Sequence, residues 1–266
     1  MTLTVTQIRA LLAQHGLHPS KALGQNFLAD PNTARRIVRL ASVEAGARVV
    51  EVGPGLGSLT VALADAGAHV LAIELDRHLV PVLQSVVAER DVKIVTADAL
   101  TIDWTALLDG HWTMVANLPY NVATPVVLIA LETAPMIDSF LVMVQKEVGE
   151  RMAARAGDDA YGAVSVKVAY FGSAAVVGTV SPNVFVPKPK VESALVRIDR
   201  HATPPVDVNA KRMFTLVKSG FATRRKTLRR ALDGVVDASQ FAAAGIDSGA
   251  RAETLTLEDW ARLANV

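Results

Sequence analysis

The sequence predicts an α/β protein: a doubly wound, Rossmann-like parallel sheet over residues 1–206, followed by a small all-helical domain over 207–266. Three observations carry this. Short Val/Ile/Leu runs alternate with amphipathic stretches through the centre of the chain, as strands do when helices cover both faces of their sheet. The segment "RHATPPVD" (200–207) has the composition of a linker. Beyond it, from about residue 209, only short helical patterns remain.

The elements follow in order. "MTLTVTQIRALLAQHGL" reads as an amphipathic helix; it lacks the basic segment and unbroken apolar stretch of a signal peptide. "ARVVEV" (47–52) is a strand and "SLTVALADAG" (58–67) a helix. "AHVLAIEL" (68–75) and "RHLVPVLQSVVAER" (77–90) repeat that pair. "VKIVTAD" (92–98) and "WTMVAN" (112–117) are the third and fourth strands, "TPVVLIALET" (124–133) a helix, and "DSFLVMVQK" (138–146) the fifth strand. Two further Val-rich strands are expected near 163–170 and 174–180, ahead of the proline-rich loop "SPNVFVPKPKVESA" and the run "LVRID".

Composition narrows the function. The chain has 266 residues, 51% apolar and 20% charged, which is globular, and no cysteine, which removes disulfides, thiolate zinc sites and cysteine nucleophiles and favours a reducing, cytoplasmic setting. The six histidines show no metal-ligand spacing, so no metal is expected. No apolar run reaches membrane-spanning length, so no membrane partner is expected, and nothing suggests more than a monomer. Net charge is only +1, yet Lys211 to Arg230 holds eight Lys or Arg and no acid. Such asymmetry marks either a polyanion-binding face or a solvated helix face.

In an open parallel sheet, ligands bind beyond the carboxyl ends of the strands. Four loops leave such ends. "EVGPGLGSLT" (51–60) carries Gly53, Gly55 and Gly57, which let the backbone approach a ligand closely or simply turn tightly. "IELD" (73–76) places Glu74 about where a carboxylate meets two ribose hydroxyls, with Asp76 better suited to start the next helix. "ADAL" (97–100) places Asp98 at the end of the third strand, as an acceptor for an adenine amino group or as a turn-former. No Lys-Ser/Thr follows the glycines and no arginine cluster lies nearby to hold phosphates. A nucleoside with a charged, phosphate-free tail fits, and S-adenosylmethionine is such a ligand.

The fourth loop is "NLPYN" (117–121). It is either a turn with a packed tyrosine or a holder for a flat, amino-bearing ring. An adenine amino nitrogen is a poor nucleophile because its lone pair is delocalised into the ring. The Asn117 side-chain oxygen and a neighbouring backbone carbonyl can grip its N–H groups and bias it towards tetrahedral geometry. Pro119 shapes the loop and Tyr120 stacks on the base.

These residues carry a resemblance. "KALGQNFLAD", "EVGPGLGSLT", "IELD", "ADAL", "NLPYNVATPVV", "QKEVGERM", "YGAVSV", "VFVPKPKVESA" and "GFATRRKTLRRAL" run almost end to end. In that order they resemble the bacterial small-subunit ribosomal RNA adenine dimethyltransferases. The resemblance implies a class I methyltransferase sheet and conversion of two adjacent adenosines near the 3′ end of 16S rRNA to N6,N6-dimethyladenosine, with 16S rRNA within the small subunit as partner and a late role in ribosome assembly. It places cofactor contacts on Asn26, Leu28, Gly53, Glu74, Asp98 and Asn117. The target-base pocket falls on Asn117, Leu118, Pro119 and Tyr120, with Phe185 as second stacking ring or, alternatively, as core packing. It gives the basic face an RNA partner: Arg224, Arg225, Lys226, Arg229 and Arg230 put five charges into seven residues, about two helical turns, and Lys188 and Lys190 sit beside Phe185. One departure is Ala169, where a glutamine is expected.

Three rivals stay in view. Macrolide-resistance methylases modify an adenine of 23S rRNA on the same fold, although "NLPYNVATP" and "EVGPGLG" look more like the small-subunit family. DNA adenine methyltransferases share the Asn…Pro-aromatic logic with different flanks. An rRNA-binding assembly factor with incidental activity is of another class, and degraded motifs would have supported it.

Overall fold

The computed structural model describes residues 2–223 and 225–266. The strands are β1 (Phe27–Leu28), β2 (Arg48–Val52), β3 (His69–Glu74), β4 (Val92–Thr96), β5 (Trp112–Asn117), β6 (Ile137–Gln145), β7 (Gly172–Val180), β8 (Phe185–Val186) and β9 (Ser193–Arg200). The helices are α1 (Val5–Gln14), α2 (Pro31–Leu40), α3 (Ser58–Asp65), α4 (Val80–Val87), α5 (Trp104–Leu107), α6 (Ala123–Thr133), α7 (Lys146–Ala153), α8 (Ala163–Phe171), α9 (Ala210–Ala222), α10 (Leu228–Ala231), α11 (Ala238–Ala244) and α12 (Leu257–Ala264). None of these helices is long and apolar enough to cross a membrane.

Seven strands form one sheet in the order β4-β3-β2-β5-β6-β9-β7. β2 pairs in parallel with both β3 and β5, with Val52 opposite Ile73 and Val50 opposite Met114. The chain winds outward from β2 to β4, then returns to lay β5 on the other side of β2, so the switch in winding direction falls between β2 and β5. The Val-rich strands are buried because helices cover both faces: Val49, Val50, Met114 and Val115 have no exposed surface. α2, α3 and their neighbours pack Ile37, Leu59 and Leu63 against this sheet. β9 runs antiparallel to β6, with Ser193 opposite Gln145, and a separate two-stranded pairing joins β1 to β8, with Leu28 opposite Phe185.

The chain divides into two compact units, Met1–Gly149 with Ala175–Arg200, and Glu150–Ala174 with His201–Val266. The second unit therefore takes in residues 150–174 as well as the C-terminal stretch. Its core gathers Met213, Leu216, Leu228, Phe241 and Trp260, together with Tyr161 and Val166. The Tyr161 hydroxyl donates to the Leu255 carbonyl at 2.8 Å.

Two sequence expectations fail within this unit. Residues 163–170 form α8 and not a strand. The β-branched run "VSVKV" invites the strand reading, but Ser165 accepts the Gly162 N–H at 3.1 Å and starts a helix whose Val166 and Tyr170 enter the core. The basic stretch is also not two continuous helical turns. α9 stops at Ala222, Arg225 and Lys226 lie in a turn, and α10 is a four-residue helix. The break arises because Leu228 is fully buried and the Leu228 and Arg229 N–H groups donate to the Ala250 and Ser248 carbonyls.

Candidate active site

The loops after β2, β3, β4 and β5, with the segment leading into β1, line one cavity in the first unit. The glycine loop shapes its floor. Gly53, Gly55 and Gly57 take φ of 70°, 59° and 90°. A Cβ on Gly55 would lie 2.9 Å from the Phe27 ring, and one on Gly53 3.2 Å from Pro119 Cδ. Conformation and space together demand glycine there. Leu28 also lines the cavity, buried against the core from β1.

Glu74 ends β3 with its carboxylate held at both oxygens. Gly55 N–H donates to one at 3.0 Å and Asp76 N–H to the other at 2.8 Å. Burial raises its pKa, and the two backbone donors oppose that rise. Each oxygen keeps a lone pair for a ligand hydroxyl. Asp98 does two things at once. One oxygen accepts the Leu100 N–H at 2.9 Å, the turn-forming role, and the residue also lines the cavity.

Asp76 makes a turn ahead of α4 by accepting the His78 N–H at 3.0 Å. It also accepts from Gln25 Nε2 at 2.8 Å. Two more bonds hold the segment before β1: Asn117 Nδ2 donates to the Asn26 carbonyl and Asn121 Nδ2 to the Ala22 carbonyl, each at 3.0 Å. Residues 22–26 thus strap the cavity, tied to the β3 loop on one side and the β5 loop on the other.

The NLPY loop continues β5. Leu118 N–H donates to the Met143 carbonyl at 3.1 Å, which keeps the loop in register with β6. With its amide nitrogen used on Asn26, Asn117 has Oδ1 left as an acceptor. The Leu118 carbonyl accepts no hydrogen bond among the described residues. Tyr120, half-buried, lines the cavity and shares a 2.7 Å hydrogen bond with the Ser193 hydroxyl. Burial raises the Tyr120 pKa against the effect of that bond.

Sequence reasoning missed Glu51. Its carboxyl is buried in the cavity wall, and burial, reinforced by nearby Glu74, pushes its pKa up to about 8. The Thr60 hydroxyl lies beside it without closing a hydrogen bond of standard geometry, so Oε2 has no partner among the described residues. The signal was present: a glutamate inside the Val run "RVVEV" has no business in a sheet core unless something uses it. Gln25, Asn121 and Ser193 left no comparable signal.

Phe185 is a correction. It does not line the cavity: it is 3% exposed, sits on β8 opposite Leu28, and packs in the core with Leu59 and Met143. Lys188 and Lys190 are exposed on the loop between β8 and β9. In the second unit Arg225, Lys226, Arg229 and Arg230 are all exposed, and Arg224 lies outside the described residues.

Among the described residues the cavity wall contains three carboxyl groups, Glu51, Glu74 and Asp98, the first kept protonated at neutral pH by burial, and no Lys, Arg or His. Such a wall repels phosphates and suits a nucleoside carrying positive charge.

Comparison with known proteins points the same way. The chain is 48% identical to the ribosomal RNA small subunit methyltransferase A of Thermobifida fusca, over 98% of this chain and 95% of that one. It is 48% identical to the protein of the same name from Leifsonia xyli, over 97% and 96% of the two. Among solved structures it resembles the 23S rRNA methyltransferase ErmE, with a TM-score of 0.70 at 27% identity over 90% of this chain and 98% of that one. It shares the fold of a dimethyladenosine transferase from Plasmodium falciparum, with a TM-score of 0.71 at 22% identity over 89% and 95%. The family model for ribosomal RNA adenine dimethylases matches residues 17–266, and the chain belongs to that family.

Proposed function

We propose that this protein dimethylates the N6 nitrogens of two adjacent adenosines near the 3′ end of 16S rRNA in the small ribosomal subunit, with S-adenosylmethionine as methyl donor. The observation that carries the reading is the Asn117 side chain, pinned through its nitrogen by the Asn26 carbonyl and left with one acceptor oxygen at a cavity whose wall has carboxyl groups and no cation.

S-adenosylmethionine supplies an activated methyl group on a sulfonium. The residues hold and align it: the Gly53 backbone allows close approach, Glu74 accepts from the ribose hydroxyls, Asp98 accepts from the adenine amino group, and Asn26 and Leu28 close the site from the strap and β1. The Asn117 oxygen and Leu118 carbonyl accept from the target N6–H groups and draw the lone pair out of conjugation. Pro119 fixes the carbonyl, and the Tyr120 ring stacks on the base. Alignment for in-line transfer is the main task. The methylated amino group is acidic enough to lose its proton without a strong base.

RNA is held by Lys188, Lys190, Arg225, Lys226, Arg229 and Arg230, whose exposed charges suit phosphates. Arg224 joins them by sequence. We place the protein in the cytoplasm as a monomer acting late in small-subunit assembly, with no metal. The likeness to ErmE keeps methylation of 23S rRNA as a second reading, but two relatives at 48% identity bear small-subunit names.

The test is incubation with labelled S-adenosylmethionine and undermethylated small subunits, naked 23S rRNA or duplex DNA, followed by nucleoside mass spectrometry. Dimethyladenosine confined to small-subunit rRNA is expected. Label in 23S rRNA would move the protein to the second reading, and cofactor binding without transfer to any substrate would leave an assembly factor.

A further inference from the structure

Ser193 opens β9 with no exposed surface, directly opposite Gln145 of β6. Its hydroxyl is within 2.7 Å of the Tyr120 hydroxyl, seventy-three residues away in the chain. The contact joins two loops. On one side is the NLPY loop, which carries the phenol. On the other is the stretch Pro187–Glu192, which carries the exposed Lys188 and Lys190. That stretch is held at its end by a second tie, with Lys146 N–H donating to the Glu192 carbonyl and Lys146 Nζ paired with the Glu192 carboxylate, each at 3.0 Å.

A tyrosine ring that serves as a stacking platform has one torsion about Cα–Cβ and one about Cβ–Cγ to fix. Packing against neighbours fixes the second. A hydrogen bond at the far end of the ring fixes the first, because the phenol oxygen lies on the Cβ–Cγ axis and moves furthest when the ring swings about Cα–Cβ. We infer that Ser193 is a positioning residue for the target base: it anchors the Tyr120 phenol and so sets where the ring lies for the adenine to stack on.

The inference rests on the dimethyltransferase reading and adds a residue to it. Phosphate contacts dominate RNA affinity, so a loosened ring does not weaken binding of the whole substrate. It reduces the fraction of bound complexes in which the amino nitrogen is aligned, and that fraction enters kcat. Ser193 does not itself line the cavity, so cofactor affinity should be independent of it. The same hydrogen bond can be removed from either end, because Tyr120→Phe keeps the ring and deletes only the phenol oxygen.

The experiment compares wild type, Ser193→Ala, Tyr120→Phe and the double variant on undermethylated small subunits, measuring kcat, KM for subunits, the affinity for S-adenosylmethionine and the melting temperature. Each single variant is expected to lose kcat about five-fold, the rate equivalent of one neutral hydrogen bond, with both affinities unchanged. The double variant should lose no more than either single one. Wild-type kcat in Ser193→Ala, or losses that multiply in the double variant, would overturn the proposal. Should Ser193→Ala fail to fold, Tyr120→Phe decides alone: a wild-type kcat overturns the proposal, and the kcat-only loss upholds it. A wild type inert on small subunits would overturn the dimethyltransferase reading itself, and Ser193 with it.

Discussion

The side-chain nitrogen of Asn117 and the backbone carbonyl of Asn26 lie 3.0 Å apart, joining positions ninety-one residues distant in the chain. The bond settles which end of the amide is free. Asn117→Ala removes the acceptor together with one of the strap's three side-chain ties. Transfer to small-subunit rRNA should fall about 100- to 1,000-fold, the range for losing one preorganised transition-state contact. Circular dichroism should stay that of the wild type. Turnover near the wild-type rate would remove Asn117 from the chemistry.

Glu51 gives the protein a pH signature. Its folded-state pKa of about 8 lies above the ordinary value of 4.5, because burial disfavours the charged form. Below pH 4.5 the carboxyl is protonated in both states and nothing is lost. Between 4.5 and 8 the unfolded chain gives up the proton and the folded one keeps it, so stability falls as pH rises through that window, by up to about 1.4 kcal/mol per unit. Melting temperatures of the ligand-free protein measured from pH 5 to 9 should show that decline, and Glu51→Gln should flatten it. Equal slopes in the two proteins would show that Glu51 does not titrate as its burial demands.

Gly55→Ala sets a methyl group against the Phe27 ring in a backbone region that costs a side chain about 1–2 kcal/mol. The melting temperature should drop, and affinity for S-adenosylmethionine should drop with it because β1 and the glycine loop move apart. Calorimetric titration reads the second effect. An unchanged affinity would mean that the loop does not touch the cofactor.

Arg225→Glu combined with Arg229→Glu should weaken binding of small-subunit rRNA and make its salt dependence shallower, since fewer counterions are released. Affinity for S-adenosylmethionine should not change. Filter binding across a salt series checks the first, and parallel loss of both affinities would count against an RNA-contacting role.

Strands β2 to β6 and helices α3, α4 and α6 were legible because a buried parallel sheet leaves an unmistakable record: Val and Ile runs separated by amphipathic stretches. The carboxylates at strand ends were legible for the same reason, as polar residues at fixed places in an apolar pattern. α8 was not, since its β-branched residues speak for a strand and only the core they enter makes them helical. Phe185 could be placed in a motif but not in space, because one pairing, Leu28 with Phe185, decides whether the ring faces a ligand or the core. Ties such as Gln25 to Asp76 and Tyr120 to Ser193 join distant stretches and leave no local trace.

The wall of carboxyl groups bears on turnover as well as on capture. Fresh donor carries a sulfonium charge; once the methyl has gone, the same molecule is a neutral thioether. With Glu51 held protonated at neutral pH by burial, Glu74 and Asp98 face the donor with no cation among the described lining residues, and such a cavity would hold the first more strongly than the second, with no part of the chain having to move. On the proposed reading, two methyl groups on each of two adenosines require four fresh donors in succession. Electrostatics then works as a ratchet, with each transfer loosening the spent molecule and clearing the seat for the next.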